Sequence, residues 1–344
     1  MSQELLLGIE TSCDETAAAV VGDCGSGIAR IKSNIIYSQR SEHTEYGGVV
    51  PEIAARVHID TLFPVIEQAL ANANLSMADL SAIAATCGPG LIGGVIVGSL
   101  AAKTLAFINK KPFIAINHLA AHAQVCRLSD PIEFPYLLLL ISGGHCQFLE
   151  VFDIDKYKLI GSTLDDSAGE VFDKIARILQ ITGGGAALEK LALDGDPLRF
   201  HFSIPLKDRD TCDMSFSGLK TAFRLLIQRL QPLSWQDKRD VAACLQKSIA
   251  NALVDKTQKA FLMASQEIQQ AKVLVVSGGV AANHIIRLDI ASLCEKYGFT
   301  PFFPPLSLCT DNAVMVAWLG LEKFKRGDIS DLAFPPRPKW SLSW

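Results

Sequence analysis

The chain has 344 residues, 49% of them hydrophobic and 20% charged, the balance of a globular protein with room for two domains. A net charge of −4 argues against broad, sequence-independent nucleic-acid binding over the whole surface and leaves room only for a local basic patch. Nine scattered cysteines without a Cys-x-x-Cys pair fit a reducing, cytoplasmic setting better than a disulfide framework.

The start, MSQELLLGIE, carries neither a basic n-region nor an Arg-rich transit pattern. Leu5 to Val21 reads as an apolar strand, a small polar turn and a second apolar strand. Asp14 and Glu15 lie in that turn, either to act on a ligand or as solvated turn carboxylates. A loop over Ser41 to Glu52 leads to Pro51 and Glu52, which suit a helix start. Ile53, Val57, Phe63, Ile66 and Leu70 then fall roughly on one side of the expected helix, with Pro64 inside it. Ala82 to Ala102 is uncharged, but Gly88-Pro89-Gly90 cuts it into a strand, Leu80 to Thr86, and a helix, Leu91 to Phe107, so it is not read as a membrane span. Gly94, Gly98 and Ala102 recur every four residues, so this helix can approach a neighbour closely. FIAIN is a short strand, and Asn117 can cap a helix beginning at His118.

Leu128 to Pro135 is the expected linker into a second half. Leu137 to Glu150, LLLLISGGHCQFLE, repeats the strand–turn–strand pattern of the N-terminus. Two such units, one near the start of each half, predict two related lobes with a cleft between them. A helix follows Asp165 and Asp166 to about Gln180, and Gly183 to Gly185 breaks the chain. The more polar stretch from Asp194 to Gln236 reads as an inserted helical segment. Asp240 to Gln269 reads as a long amphipathic helix, Ala271 to Gly279 as a buried strand with a glycine turn, and AVMVAWLGLEKF as the last helix. Strands alternating with helices indicate an α/β architecture, with part of each sheet antiparallel.

Several residues carry chemistry. His118 and His122, four apart on an expected helix, place both imidazoles on one face, which is a metal-ligand spacing. A zinc-peptidase reading requires glutamate directly after the first histidine; Leu119 stands there, followed by two alanines, and that reading is rejected. Asp311, just before the last helix, either caps that helix or supplies a third ligand. Two imidazoles and a carboxylate with open positions suit Fe(II) or Zn. Three glycine turns, Ser142-Gly143-Gly144, Ser277-Gly278-Gly279 and Gly183 to Gly185, each offer backbone N–H groups to an anion, and together they favour a nucleotide-like ligand. Asp173 either accepts a ribose hydroxyl or pairs with Lys174 or Arg177. Lys323, Lys325, Arg326, Arg337 and Lys339 form a late basic cluster, either touching phosphates or facing solvent.

In order along the chain, GIETSCDETAAAVV, HTEYGGVVPEIAARVH, CGPGLIGGVIVGSLAAKTLA, LISGGHCQF, AGEVFDKIAR, SFSGLKTA, VSGGVAAN and CTDNAVMVAW resemble the bacterial TsaD family of tRNA adenosine threonylcarbamoyltransferases, from about Leu6 to Gly320. The resemblance implies an α/β, two-lobed fold of the actin, sugar-kinase and heat-shock ATPase (ASKHA) type with a central cleft. It implies an N-terminal lobe over 1–131, a C-terminal lobe over 132–318 with a helical insertion at about 194–240, and a C-terminal helix and tail over 319–344 packing on the N-terminal lobe.

By the same resemblance, the activity is metal-assisted transfer of threonylcarbamoyl from threonylcarbamoyl-AMP to N6 of the adenosine beside the anticodon (position 37), in tRNAs reading codons that begin with A. The metal ligands fall on His118, His122 and Asp311, holding one divalent ion, Fe(2+) ahead of Zn(2+). Substrate binding falls on Leu140, Ile141, Ser142, Gly143, Gly144, Asp173, Gly185 and Asn283, and Asp14 matches an acidic position tied to activity. The implied partners are tRNA, a TsaB-like paralogue and a TsaE-like ATPase, with no membrane. The chain departs from the family pattern at Ala120-Ala121, where Glu-Gly is usual, at Cys146 in place of Thr, and at Gly183 and Ala186, where prolines are frequent. A lost carboxylate near the metal bears on ion affinity. A kinase or ATPase on the same fold, and a scaffold that has lost activity, are the rival readings; the histidine pair with Asp311 is the feature that a kinase would not need.

Overall fold

The computed structural model describes residues 4–23, 29–46 and 48–342. Gly47, within the expected loop before the first long helix, and Ser343 and Trp344, at the end of the tail, lie outside the described residues. The chain forms two compact units. One comprises Met1–Glu133, Ile154–Lys156 and Thr310–Trp344; the other comprises Phe134–Asp153 and Tyr157–Cys309. The chain returns to the first unit at Thr310, ahead of the expected position at 319.

The first unit begins with an antiparallel meander, β1 (Leu5–Glu10), β2 (Glu15–Asp23) and β3 (Ala29–Ser38), with Leu7 opposite Val20 and Ile9 opposite Ala18. β1 is buried along its whole length, which explains its unbroken apolar run. A short helical turn, α1 (Arg40–His43), precedes α2 (Pro51–Ala73), which has proline at its start and left-handed Asn74 at its end. The buried stripe of α2 is Ala54, His58, Leu62, Val65, Ile66 and Ala69. Phe63, placed inward by periodicity, is exposed, because the inward stripe is built of smaller residues and a histidine that meets buried polar groups. β4 (Ala82–Gly88), α3 (Ile92–Ile108), β5 (Phe113–Asn117) and α4 (His118–Gln124) complete this stretch. β4 runs parallel to both β1 and β5, giving the sheet order β3-β2-β1-β4-β5.

The second unit repeats this plan. β6 (Tyr136–Ile141), β7 (Cys146–Asp153) and β8 (Lys156–Ser162) lead through α5 (Ala168–Ile178), α6 (Gly184–Ala192), α7 (Ser217–Arg229), α8 (Trp235–Met263) and α9 (Gln266–Ala271) to β9 (Val273–Ser277), α10 (His284–Tyr297) and β10 (Thr300–Phe302). The sheet order is β10-β9-β6-β7-β8, with β6 antiparallel to β7 and parallel to β9. Each sheet is thus a three-strand meander whose first strand pairs in parallel with a later strand; the two matching strand–turn–strand segments are the first two strands of each meander.

Two expectations in this unit change. The long helix starts at Trp235, where Ser234 and Asp237 cap it reciprocally, and stops at Met263 as Ala264 turns extended. Ser265 N–H then donates to buried Glu150 Oε1 at 2.6 Å, which separates α8 from α9. The polar stretch of about 194–240 contains one helix of its own, α7, rather than being helical throughout. Its irregular part is tied down by Lys256, a buried lysine whose Nζ donates to the carbonyls of Leu206 at 2.7 Å and Thr211 at 3.1 Å. α11 (Ala313–Lys325) follows in the first unit, where it packs on β1 and β2. A Cβ on Gly8 would lie 2.4 Å from Ala313 O, so only glycine lets α11 approach β1 this closely.

Candidate metal centre and glycine turns

Asn117 ends β5 in an extended conformation and caps α4, its Oδ1 accepting from the N–H groups of Leu119 at 2.9 Å and Ala120 at 3.2 Å. That cap fixes the first turn of α4 and therefore the directions of His118 and His122, whose ring centroids stand 4.7 Å apart. Asp311 Oδ1 lies 3.0 Å from His122 Nε2 and 3.5 Å from His118 Nε2. The cap of α11 is Asn312, whose Oδ1 accepts from Met315 N–H, so the capping alternative for Asp311 is excluded. His118, His122 and Asp311 place one ligand atom each within 4.8 Å of one another, a spacing that suits a single ion.

A fourth residue, which the sequence reading passed over, completes the arrangement. Glu10 closes β1 and is wholly buried. Its Oε1 accepts from Ser12 N–H at 2.6 Å, and its Oε2 accepts from the Thr86 hydroxyl at 2.6 Å and faces His118 Nδ1 at 3.0 Å. A carboxylate only accepts, so Nδ1 of His118 carries the proton and Nε2 is turned toward Asp311 and His122. Burial alone would raise the Glu10 carboxyl, but the charge of His118 and the hydrogen bond to it outweigh that and hold it below the usual carboxylate range. Burial would lower His118; the charges of Glu10 and Asp311 outweigh it and push the imidazole up to about 9. The signal in the sequence was a lone carboxylate ending an otherwise apolar strand, LLLGIE. Ala120 and Ala121 are buried, so no side-chain carboxylate stands between the histidines, while Glu10 supplies one beside His118.

Asp14 occupies the turn between β1 and β2, next to Glu15. Burial pushes Glu15 up to about 9, with the charges of Asp311 and Asp14 and a hydrogen bond to Asp14 adding to it against the opposing charge of Arg40. Asp14, Glu15 and the histidine–aspartate trio all belong to the first unit.

The remaining expected site residues belong to the second unit. Leu140 and Ile141 are core residues of β6, which leaves only their backbone for a ligand. In the following turn, Ser142 N–H donates to His145 O at 2.7 Å and His145 N–H to Ser142 Oγ at 3.1 Å, while a Cβ on Gly143 or Gly144 would meet open space. Leu140 pairs with Ser277, so the Ser142-Gly143-Gly144 and Ser277-Gly278-Gly279 turns leave adjacent parallel strands at the same end. A Cβ on Gly278, at φ +97°, would lie 2.4 Å from Ile141 O. The start of α5 abuts the first turn, where the Ser167 hydroxyl donates to Gly143 O at 2.5 Å.

Asp173 Oδ1 accepts from Gly185 N–H at 2.8 Å, which joins two of the expected residues directly, whereas Lys174 pairs with Glu170. Asn283 is buried; its Oδ1 caps α10 through Ile286 N–H, and its Nδ2 donates to Gln246 Oε1 at 2.8 Å. In the late basic cluster, Lys323 pairs with Asp155 and Lys325 with Asp23, and Arg337 stacks near Phe334 and Trp340. These three charges are thus engaged within the chain.

Known proteins resemble this chain in sequence and in fold. The family described as "TsaD: tRNA N6-adenosine threonylcarbamoyltransferase" matches residues 30–318. Similar proteins named tRNA N6-adenosine threonylcarbamoyltransferase include one from Brucella anthropi, 49% identical over 98% of this chain and 95% of its own length. Another, from Rhizobium etli, is 50% identical over 98% of this chain and 94% of its own length. Among solved structures, T. kodakarensis HypF superposes with a TM-score of 0.61 at 15% identity, over 95% of this chain and 48% of that one. The Acidaminococcus fermentans (R)-2-hydroxyglutaryl-CoA dehydratase component A gives 0.52 at 16% identity, over 92% of this chain and 96% of that one. At such identities these two structures speak for the fold alone, which is of the ASKHA type. The extent of the family match and the full-length relatives settle the rest: this chain belongs to the TsaD family, acyltransferases that place threonylcarbamoyl on N6 of adenosine in tRNA.

Proposed function

We propose that the donor is threonylcarbamoyl-AMP, that the acceptor is the adenosine beside the anticodon, and that His118, His122 and Asp311 hold one divalent ion, Fe(2+) in preference to Zn(2+). The observation that carries the metal reading is the convergence of His118, His122 and Asp311 on one point, with Glu10 accepting from His118 Nδ1–H so that Nε2 is the nitrogen left to exchange its proton for an ion. When bound, the ion supplies Lewis-acid polarisation of the donor's carbonyl.

The chain's own residues do the rest. The donor is a mixed anhydride, and the exocyclic amine of adenine is a weak nucleophile, so positioning and charge stabilisation dominate. Backbone N–H groups in the two Ser-Gly-Gly turns, with Leu140 and Ile141 contributing backbone only, receive the adenylate phosphate. Asp173 and Gly185, already joined, form a second wall, and Asn283 holds the turn before α10 in place. The amine nitrogen bonds to the carbonyl carbon, the carbon–oxygen bond to AMP breaks, and Asp14 takes the proton lost by the nitrogen. A TsaB-like paralogue and a TsaE-like ATPase are the partners of this reading, and the cytoplasm is its location.

The test is reconstitution with threonylcarbamoyl-AMP, unmodified tRNA and the two partner proteins, with bound metal measured in parallel. Modified adenosine formed in proportion to bound iron is the expected result. Equal product from fully metal-free protein would overturn the role of the trio.

A further inference from the structure

The turn that carries Asp14 is held from behind, one carbonyl at a time. Ser12 O accepts from Leu91 N–H at 2.7 Å, Cys13 O lies 3.1 Å from His58 Nε2, and Asp14 O accepts from Gln39 N–H at 2.9 Å. The Thr11 hydroxyl donates to Gly94 O at 2.9 Å, and a Cβ on Gly94 would sit 2.2 Å from Thr11 O. Gly94 and Gly98 thus let α3 close onto this turn, which is the neighbour their spacing called for. Of the three groups that fix the carbonyls, two are backbone N–H groups. Only His58 acts through a side chain.

His58 is fully buried on α2, and its tautomer can be read from its partners. Cys13 O accepts only, so Nε2 carries the proton and Nδ1 is an acceptor. Gln39 Nε2 stands 3.1 Å from that Nδ1 and the Thr16 hydroxyl 2.8 Å. Gln39 is fixed in turn. Val50 N–H donates to His43 Nδ1 at 3.3 Å, so the proton of His43 is on Nε2, 3.3 Å from Gln39 Oε1. The line Val50, His43, Gln39, His58, Cys13 runs donor to acceptor without a conflict. Burial also holds the His58 imidazole below its ordinary range, in keeping with a neutral ring.

We propose that His58 is a positioning residue for the transfer reaction: its Nε2–H locks the Cys13–Asp14 peptide plane and so sets the direction in which Asp14 meets the acceptor amine, with Gln39 and His43 fixing its tautomer. The inference rests on the reading of Asp14 as the proton acceptor. Displacement of a reacting group by about 1 Å costs on the order of 100-fold in rate, so the hold matters even though His58 touches no substrate.

The experiment is a double-mutant cycle on the full-length chain with its partner proteins, reading kcat and KM for tRNA threonylcarbamoylation, bound metal and Tm. His58→Gln keeps a donor at the ε position and His58→Asn does not. His58→Leu and His58→Asn are expected to lower kcat by on the order of 100-fold with KM and bound metal nearly unchanged, and His58→Gln to recover most of the loss. Adding His58→Asn to Asp14→Asn is expected to cost nothing further. Equal activity in His58→Gln and His58→Asn, or a full additional loss in the double variant, would reduce His58 to a core residue and overturn the inference while leaving Asp14 in place. Unchanged kcat in Asp14→Asn alone would instead remove the reading of Asp14, and the inference with it. If His58→Leu does not fold, the Gln and Asn variants decide.

Discussion

Glu10 Oε2 lies 3.0 Å from His118 Nδ1, on the edge of the ring opposite the nitrogen that faces Asp311. The end of a strand thereby places a proton on Nδ1 of a histidine at the start of a helix more than a hundred residues later. Orienting carboxylates of this kind typically change metal affinity by about 10–100-fold. Glu10→Gln is expected to weaken metal binding by about that factor and to lower metal content after dialysis against a weak chelator. Unchanged content in that dialysis would show that His118 needs no such support.

Asn312 caps α11, and its neighbour Asp311 faces the two histidines instead. Asp311→Asn should abolish retention of the ion, and in the metal-free protein it should cost only its contacts with His118 and His122, leaving α11 capped. Asn312→Ala removes the cap of α11 and should cost about 1 kcal/mol of stability in denaturant titration. A severe loss of stability in Asp311→Asn would reverse this assignment.

Asp165 gathers the segment ahead of α7: it accepts from the hydroxyls of Ser215 and Ser217 and from the N–H groups of Phe216 and Ser217. Burial would raise its carboxyl, but these hydrogen bonds outweigh it and hold the group below the ordinary range. A depressed folded value contributes stability that is fully present above the unfolded value and fades as pH falls through the folded one. Asp165→Asn should therefore lower stability at pH 7 by about 1 kcal/mol, allowing for its solvent exposure, and the gap should narrow as pH falls below the ordinary aspartate range. Thermal melts of the two proteins across pH read this directly, and a gap that persists well below the ordinary aspartate range would deny the charge its role.

Lys256 is nearly inaccessible, yet its ammonium serves the carbonyls of Leu206 and Thr211. Lys256→Met keeps most of the volume and strands those acceptors. A loss of about 2 kcal/mol is expected, together with faster proteolysis between residues 203 and 213. Unaltered cleavage there would mean that the segment is held by other contacts.

The sequence by itself determined the elements and their chemistry. Apolar runs gave most strands of the two sheets but not β3 and β8, whose sequences carry Arg30, Lys32, Lys156 and Lys158, while helical spacing put His118 and His122 on one face and ordered motifs gave the family. These properties are local, because they depend on neighbours three or four residues apart or on residue types in a row. Tertiary structure decided the rest. It assigned the cap of α11 to Asn312 and brought Asp311 to the histidines, paired Lys323 and Lys325 with aspartates that sequence order keeps far away, and turned Phe63 outward. Above all it placed Glu10 against His118 and His58 against Cys13, contacts set by strand pairing and helix packing. A buried polar side chain must find a partner somewhere in the fold, but its own sequence neighbourhood does not say where.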